Sequence, residues 1–595
     1  MNTSRRRVVL ALGSTALVPL LGADAFAQTS SRADRAFEAL GRRWLDRSLR
    51  LSPVNATSTG DHRFDRNIDD VSAAGRNAGL RFTRDTLRQL EAIDKTQLSR
   101  ANQVDYAILE NTLRGSIWQT ETRQSWAWNP LGYQALAGGA LYSLMAREFA
   151  PLPQRMESAI HRLEKIPTLL RQTREELQPA RVPVPHAATY AAQNPGLKSI
   201  VTGMIEPNKG VLSASKQRRL ERAIEAFNAA VDEHQDWITG TLVPAAQADF
   251  RAGAEVFDTQ LAFTLQSNLS RQEIRRRADA AVISVREEMY RVSKLALAGR
   301  ADAPPTPDNP TPEQQQAAIR AALDLAAADR PARDGLVEYS RAATEEARAF
   351  VQQHDLITLP EGPVRIILMP EFQRGVAVAY CDSPGPLERH LDTFYAVSPV
   401  PDDWSEEQAT SFLREYNNRA TLDIAVHEAM PGHYVQIFHS NRYPSTLRAV
   451  LGSGSFIEGW AVYAEEMMIE SGFRANDPLY RLSQLKIQLR TITNAIIDQA
   501  IHVDGMTEQE MMTFLTQTAF QEEREAAGKW RRAQLSVTQL STYFVGFQEH
   551  LETRAAARAK QGAAFNLKAY HDGVLAFGSP PGRFARQLLL DEPIQ

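Results

Sequence analysis

Between Thr421 and Gln436 the chain reads T-L-D-I-A-V-H-E-A-M-P-G-H-Y-V-Q. His427-Glu428 followed by His433 is a stretched form of H-E-x-x-H, the helical pattern in which two histidines bind zinc and the glutamate is the base. In the unstretched pattern the histidines are four apart and project roughly 40° from each other around the helix. Six apart, they project about 240° round and face away from each other on a regular helix. A fold in which both face one metal must therefore break this helix. The two extra residues are suited to that. Pro431 cannot donate to the carbonyl four residues back and clashes with the preceding turn. Gly432 tolerates backbone angles that other residues avoid. The expectation is a kink or bulge at Pro431-Gly432 that returns His433 to the side of His427; an unbroken helix would end this reading.

A catalytic zinc needs a third protein ligand and an open position. Glu458, 25 residues after His433 in G-S-F-I-E-G-W-A-V-Y-A-E-E, is the candidate. A second helix packed antiparallel to the first would deliver it. Glu465 lies one heptad later, as an alternative ligand or a carboxylate orienting an imidazole. Asp423 and Asp498 are further orienting candidates; for all three, ordinary surface or helix-pairing roles compete. Glu428 is the expected general base on a zinc-bound water. His439 is six residues past His433 but has no Pro-Gly before it, so it ranks below the others. One His-Glu pair among 12 histidines is a weak signal. The pair, Pro-Gly, His433 and Glu458 together are a stronger one. The one cysteine, Cys381, allows no internal disulfide and no cysteine-based zinc site, so ligands must be histidines and carboxylates.

The rest of the chain reads as mainly α. Residues 1–27 look like an export signal of twin-arginine type: Arg5-Arg6-Arg7, an apolar run from Val8 to Leu21, and Ala25-Phe26-Ala27 before Gln28. An uncleaved anchor is the competing reading, and the run is short for a span. Removing this segment takes away three Arg and one Asp, moving the net charge from −4 to −6. With no dense basic run elsewhere, nucleic acid is an unsuitable partner. No later run is long and apolar enough for a membrane span, so the mature protein is expected to be soluble and periplasmic.

Residues 28–300 carry helical periodicity over Arg35–Leu51, Thr83–Ile93, Pro153–Leu177, Ser215–Leu242 and Arg271–Leu297. Residues 301–312 are a Pro-rich connector, either a linker or a long surface loop. Residues 313–595 form the expected catalytic part. It holds three short strands near Val364–Leu368, Val376–Tyr380 and Asp392–Ser398, read as a small antiparallel sheet. Such a sheet either takes an extended peptide along its edge or merely caps the core. Helices are expected at Glu406–Met430, His433–His439, Ile457–Glu470, Leu479–Val503, Thr507–Phe520, Glu522–Arg558 (with an interruption allowed) and Leu567–Ala576.

The segments H-E-A-M-P-G-H (His427–His433) and E-G-W-A-V-Y-A-E (Glu458–Glu465) resemble the marks of the bacterial domain-of-unknown-function 885 family. The resemblance extends from about Arg35 to the C-terminus. It makes the Pro-Gly insertion the family's own pattern. It implies a large helical zincin-like peptidase fold with a deep central channel, similar to the thimet-oligopeptidase and angiotensin-converting-enzyme groups. It also implies zinc on His427, His433 and Glu458 with Glu428 as base. Thr542-Tyr543-Phe544-Val545-Gly546-Phe547 resembles the angiotensin-converting-enzyme stretch R-Y-F-V-S-F, which implies Tyr543 as oxyanion donor. Thr542 replaces that arginine, so its role is not inherited, and a core tyrosine is the competing reading. His571 sits where the family often has Phe-His, either as a donor to a substrate carbonyl or as a helix cap. His502 reads as structural. Arg374 and Arg490 are candidates for a peptide carboxylate, or plain ion-pair partners.

The expectation is an exported zinc metallopeptidase of carboxypeptidase or oligopeptidase type, acting on short peptides. The alternatives are a periplasmic peptide-binding protein with a structural or lost metal, and a zinc hydrolase of non-peptide amides or esters.

Overall fold

The computed structural model describes residues 31–369, 378–388 and 391–595. The export signal at 1–27, Arg374 and part of the expected second strand lie outside them. Helices dominate the described residues, and none is long and apolar enough to cross a membrane.

Apolar periodicity and caps account for the helices. Ser31, Thr311, Ser405 and Thr507 each close a capping box, accepting from the backbone three residues on. The connector at 301–312 runs beside the helix it leaves: Tyr290 donates to Pro307 O at 2.6 Å and Lys294 pairs with Asp308. Met289, Tyr290 and Val292 before it share one apolar core with Leu485, Leu489 and Ile492 after it. The connector is thus a surface loop over a continuous core.

Three strands form one sheet: β1 (Arg365–Leu368), β2 (Ala379–Asp382) and β3 (Phe394–Val397). The order is β1-β3-β2, with β1 parallel and β2 antiparallel to β3. The sheet is therefore mixed and not antiparallel. Two long connections, 369–378 and 383–393, replace the tight hairpins that would have made neighbours of consecutive strands. N-terminal helices brace its edge, Arg147 pairing with Asp382 at 2.9 Å and Tyr142 donating to the same carboxylate.

The expected helix over Glu406–Met430 is two helices, Glu406–Glu415 and Asn418–Glu428. The break is chemical: Asn417 Oδ1 accepts from Arg419 N and Ala420 N and starts the second helix afresh. Glu522–Arg558 divides likewise into Glu523–Leu535 and Ser541–Gln561. There Asp498, on the helix Pro478–His502, accepts from Thr538 N, Ser541 N and Ser541 Oγ at 2.8–3.1 Å.

A candidate metal centre at a broken helix

The helix carrying His427 ends at Glu428, and a new one runs from His433 to Ser440. Between them the chain doubles back. Ala429 N and Met430 N both donate to Ala425 O, and Gly432 N donates to Val426 O at 2.9 Å. The Met430–Pro431 peptide is cis. Gly432 lies hard against the preceding helix: a Cβ there would sit 1.8 Å from His427 O. Only glycine lets the backbone approach this closely. Trp460 Nε1 donates to Pro431 O at 3.0 Å and pins the outer side of the break.

The break brings the histidines together. Their ring centroids are 4.8 Å apart at 89°. Glu458 Oε2 lies 3.4 Å from His433 Nε2 and 3.8 Å from His427 Nε2. One donor atom from each residue falls within 4.8 Å of the other two. Donors about 2.0–2.1 Å from a tetrahedral zinc are roughly 3.3 Å apart, so the Glu458 separations suit that ion. The donor set, two imidazoles and a carboxylate, is that of catalytic zinc.

Glu458 comes from the helix Gly454–Glu470, which crosses Ser541–Gln561 at a point where glycine faces glycine. A Cβ on Gly459 would meet Gly546 C at 2.3 Å, and one on Gly546 would meet Ser455 O at 1.8 Å. That contact sets Tyr543, one turn before Gly546, close enough to Glu458 for its charge to raise the tyrosine's pKa on top of burial. Tyr543 Oη accepts from Arg532 Nη2 at 2.9 Å and from Gln539 Nε2 at 3.3 Å. Its own proton is left to donate.

Around the donors, His427 Nδ1 bonds Glu465 Oε1 at 2.6 Å, which leaves Nε2 for a metal. Burial alone would depress His427, but hydrogen bonds to Glu458 and Glu465 hold it well above its ordinary value. Burial would raise Glu458, yet both imidazoles outweigh it and keep the carboxyl well below the usual range. Glu465 and Asp423 are pushed up by burial, Asp423 further by the Glu465 charge, and Tyr480 donates to Asp423. Glu428 is 8% exposed, and its carboxylate has no hydrogen-bond or ion-pair partner among the described residues. Its charge reaches Cys381 on β2 and Tyr395 on β3, so the sheet stands beside it.

The remaining sequence candidates fall elsewhere. His571 is fully buried, Nδ1 bonding Leu356 O and Nε2 the Tyr463 hydroxyl, both at 2.7 Å. Burial holds its pKa down to about 4. With both nitrogens engaged in the core, it has no free atom for a substrate; it stands edge-on to Trp460 and backs the break. Asp498 anchors the start of the Tyr543 helix and orients no imidazole. His439 bonds Thr358 O, and His502 holds Ala533 O and Ser536 O. Arg490 is paired with Glu525. Sequence reasoning missed Trp460, Arg532 and Gln539, although Trp460 stands inside the E-G-W motif; the other two sit in an arginine-rich helix and a loop that carry no pattern.

The family model described as bacterial protein of unknown function (DUF885) matches residues 53–589. The chain belongs to this family. Two solved structures share its fold. A candidate lipoprotein of unknown function from Shewanella oneidensis is 31% identical, with a TM-score of 0.77 over 93% of this chain and 99% of that one. A candidate lipoprotein from Colwellia psychrerythraea, 16% identical, has a TM-score of 0.73 over 94% and 99%. No curated protein matches.

Proposed function

We propose that this DUF885 member is an exported zinc peptidase of short peptides, with His427, His433 and Glu458 as metal ligands and Glu428 as general base. The observation that carries this is the convergence of those three donors beside an unpaired glutamate. When bound there, zinc supplies a Lewis acid that polarises a carbonyl and lowers the pKa of water towards neutrality. Glu428 takes the proton of the attacking water and returns it to the leaving amine. Tyr543, whose oxygen already accepts twice, turns its O–H to the oxyanion that develops at the scissile carbonyl. The Glu465–His427 bond fixes the ring orientation that keeps Nε2 on the ligand side. β2 is an edge strand whose Cys381 neighbours Glu428, which supports an extended peptide running along that side of the sheet. Glu458 keeps 23% of its side chain open to water while packed between helices, which supports entry of a thin chain rather than a folded protein.

Export is supported by the N-terminal pattern and by two structural relatives described as candidate lipoproteins. Gln28, not cysteine, follows the expected cleavage site, so release into the periplasm is the reading preferred over a lipid anchor.

The test joins metal analysis to a peptide-library digest. The wild type is expected to hold about one zinc per chain and to cleave. Glu428→Gln should retain the metal and lose roughly 10²–10⁴-fold in rate. Zinc retained without turnover of any peptide would favour a binding module or a non-peptide hydrolase. No metal after reconstitution would overturn the assignment of His427 and His433.

A further inference from the structure

A cavity of about 540 Å³ lies between the sheet and the end of the N-terminal helix Pro130–Met145. Strand alternation places it relative to the candidate metal centre. Arg365 and Phe394 are register partners on β1 and β3, and both line the cavity. Cys381 and Tyr395, partners one position along β3, both lie under the charge of Glu428. Successive residues of a strand face opposite ways, so the cavity is on the reverse face of the sheet from Glu428.

The charged side chains lining it are Arg147, Glu148, Arg155, Arg365 and Asp392. Arg365 donates to Asp392 Oδ2 at 2.7 Å, and Arg147 pairs with Asp382 at 2.9 Å. The other two are unmatched. Arg155 is 6% exposed, and no carboxylate pairs with it among the described residues. Its Nε donates to Ala150 O and its Nη1 to Leu144 O and Met145 O, at 2.9–3.4 Å. Its Nη2 has no partner among the described residues. Glu148 is exposed, and it too makes no hydrogen bond or ion pair among them. The Glu148 charge acts on Arg155, and burial still holds that guanidinium below its usual value. Asn208, on the same wall, donates to Met204 O and leaves its Oδ1 unbonded among the described residues.

One buried cation and one carboxylate thus line the same cavity, near each other but not joined. A buried guanidinium without a counter-charge is costly, and a carboxylate is the anion its planar fork matches. A ligand carrying both signs satisfies both groups at once, with its carboxylate on Arg155 and its ammonium on Glu148 and Asn208 Oδ1. Met145, Leu152 and Phe394 supply apolar wall for the rest of it. Ligand sites commonly span about 300–1,000 Å³, so there is room for a small zwitterion.

We propose that this cavity is a second, non-catalytic site that binds a free α-amino acid with an apolar side chain, held between Arg155 and Glu148. The site stands on its own charges and does not depend on the peptidase reading; under that reading its ligand is a product of peptide hydrolysis.

Calorimetry on the purified protein tests this with three probes. They are L-leucine, N-acetyl-L-leucine, which lacks the ammonium, and L-leucinamide, which lacks the carboxylate. Leucine is expected to bind saturably and at least about tenfold tighter than either blocked probe. Glu148→Gln should erase the preference over N-acetyl-leucine and keep the preference over leucinamide. Arg155→Gln should erase the preference over leucinamide. Arg155 also holds helix-end carbonyls, so its variant is checked by melting; Glu148 is exposed and unpartnered, and its variant decides the matter if the other does not fold. Failure of leucine to bind at millimolar concentration, equal binding of the three probes, or a preference over N-acetyl-leucine that survives Glu148→Gln overturns the site. Cleavage of the peptide library without leucine binding removes the site and leaves the peptidase. Leucine binding with these preferences but without cleavage does the reverse.

Discussion

Gly432→Ala tests the broken helix directly. An added Cβ would lie 1.8 Å from His427 O, 2.4 Å from His427 C and 2.4 Å from Val426 O. All three atoms are backbone of the helix that ends one residue later, so no side chain can swing aside. Real Cβ contacts essentially never fall below 3.0 Å, and the two segments must part by at least about 1.2 Å. That movement separates His427 from His433, the residue after Gly432. Metal sites tolerate only about 0.2 Å in ligand distance, and Glu458 Oε2 stands 3.4 Å and 3.8 Å from the two imidazoles. Overpacking of this kind costs about 1–3 kcal/mol in stability, towards the upper end where backbone meets backbone. Zinc affinity should fall at least about 100-fold, equivalent to about 2.8 kcal/mol. Competition with a chromophoric chelator measures the affinity, and melting in excess chelator isolates the fold. Gly454→Ala is the control, since a Cβ there meets nothing within 4 Å at the start of the Glu458 helix. If Gly432→Ala binds zinc within threefold of wild type, the close approach at Gly432 is not what assembles the site.

Glu465→Gln weakens the hydrogen bond that orients His427, and zinc affinity should drop about 10–100-fold with little change in melting in chelator. Trp460→Phe leaves Pro431 O without its donor in the core, at a cost of about 1–3 kcal/mol by denaturant titration. Glu549 is held up to about 7 by burial, against 4.5 for a free glutamate. A raised folded pKa gives stability that is full below about pH 4.5 and lost as pH rises through about 7. Glu549→Gln should therefore flatten the pH dependence in that window, gaining up to about 3 kcal/mol over wild type at pH 8 and little at pH 4. A parallel loss of stability with pH in both proteins would refute it.

Much of the helical architecture was readable because it depends on local signals. Arg271–Leu297 matches its apolar periodicity from end to end, and Ser405 caps a helix that starts at the expected Glu406. The two long stretches that divide, Glu406–Met430 and the already interruptible Glu522–Arg558, divide where a side chain competes for backbone groups. At Asn417 that side chain is local and was open to reading. At Ser536–Leu540 it is Asp498, about 40 residues earlier in the chain, which no window could have found. The sheet was misread for a similar reason. Strand composition marks where strands lie, but long connections leave their order and direction to tertiary packing. His571 shows the limit of motif position: its place in the family pattern left a substrate donor and a helix cap both open, and its two hydrogen bonds run to Leu356 O and the Tyr463 hydroxyl within the core.

A straight H-E-x-x-H helix holds its own ligands in register, because the i→i+4 hydrogen bonds fix the turn between them. Replacing that turn with a doubled-back chain gives up this rigidity, and the lost constraint has to come from outside the helix. The E-G-W triplet supplies it. Successive helical residues point about 100° apart, so three in a row address three different neighbours. Glu458 faces the two imidazoles, Gly459 admits the Tyr543 helix at backbone distance, and Trp460 holds Pro431 O. The proposed third ligand, the close approach of the proposed oxyanion donor and the brace for the break are thereby fixed in one turn of one helix. The two motifs then act as a unit: the Pro-Gly break requires a brace, and the same turn that provides it delivers the carboxylate the broken helix cannot.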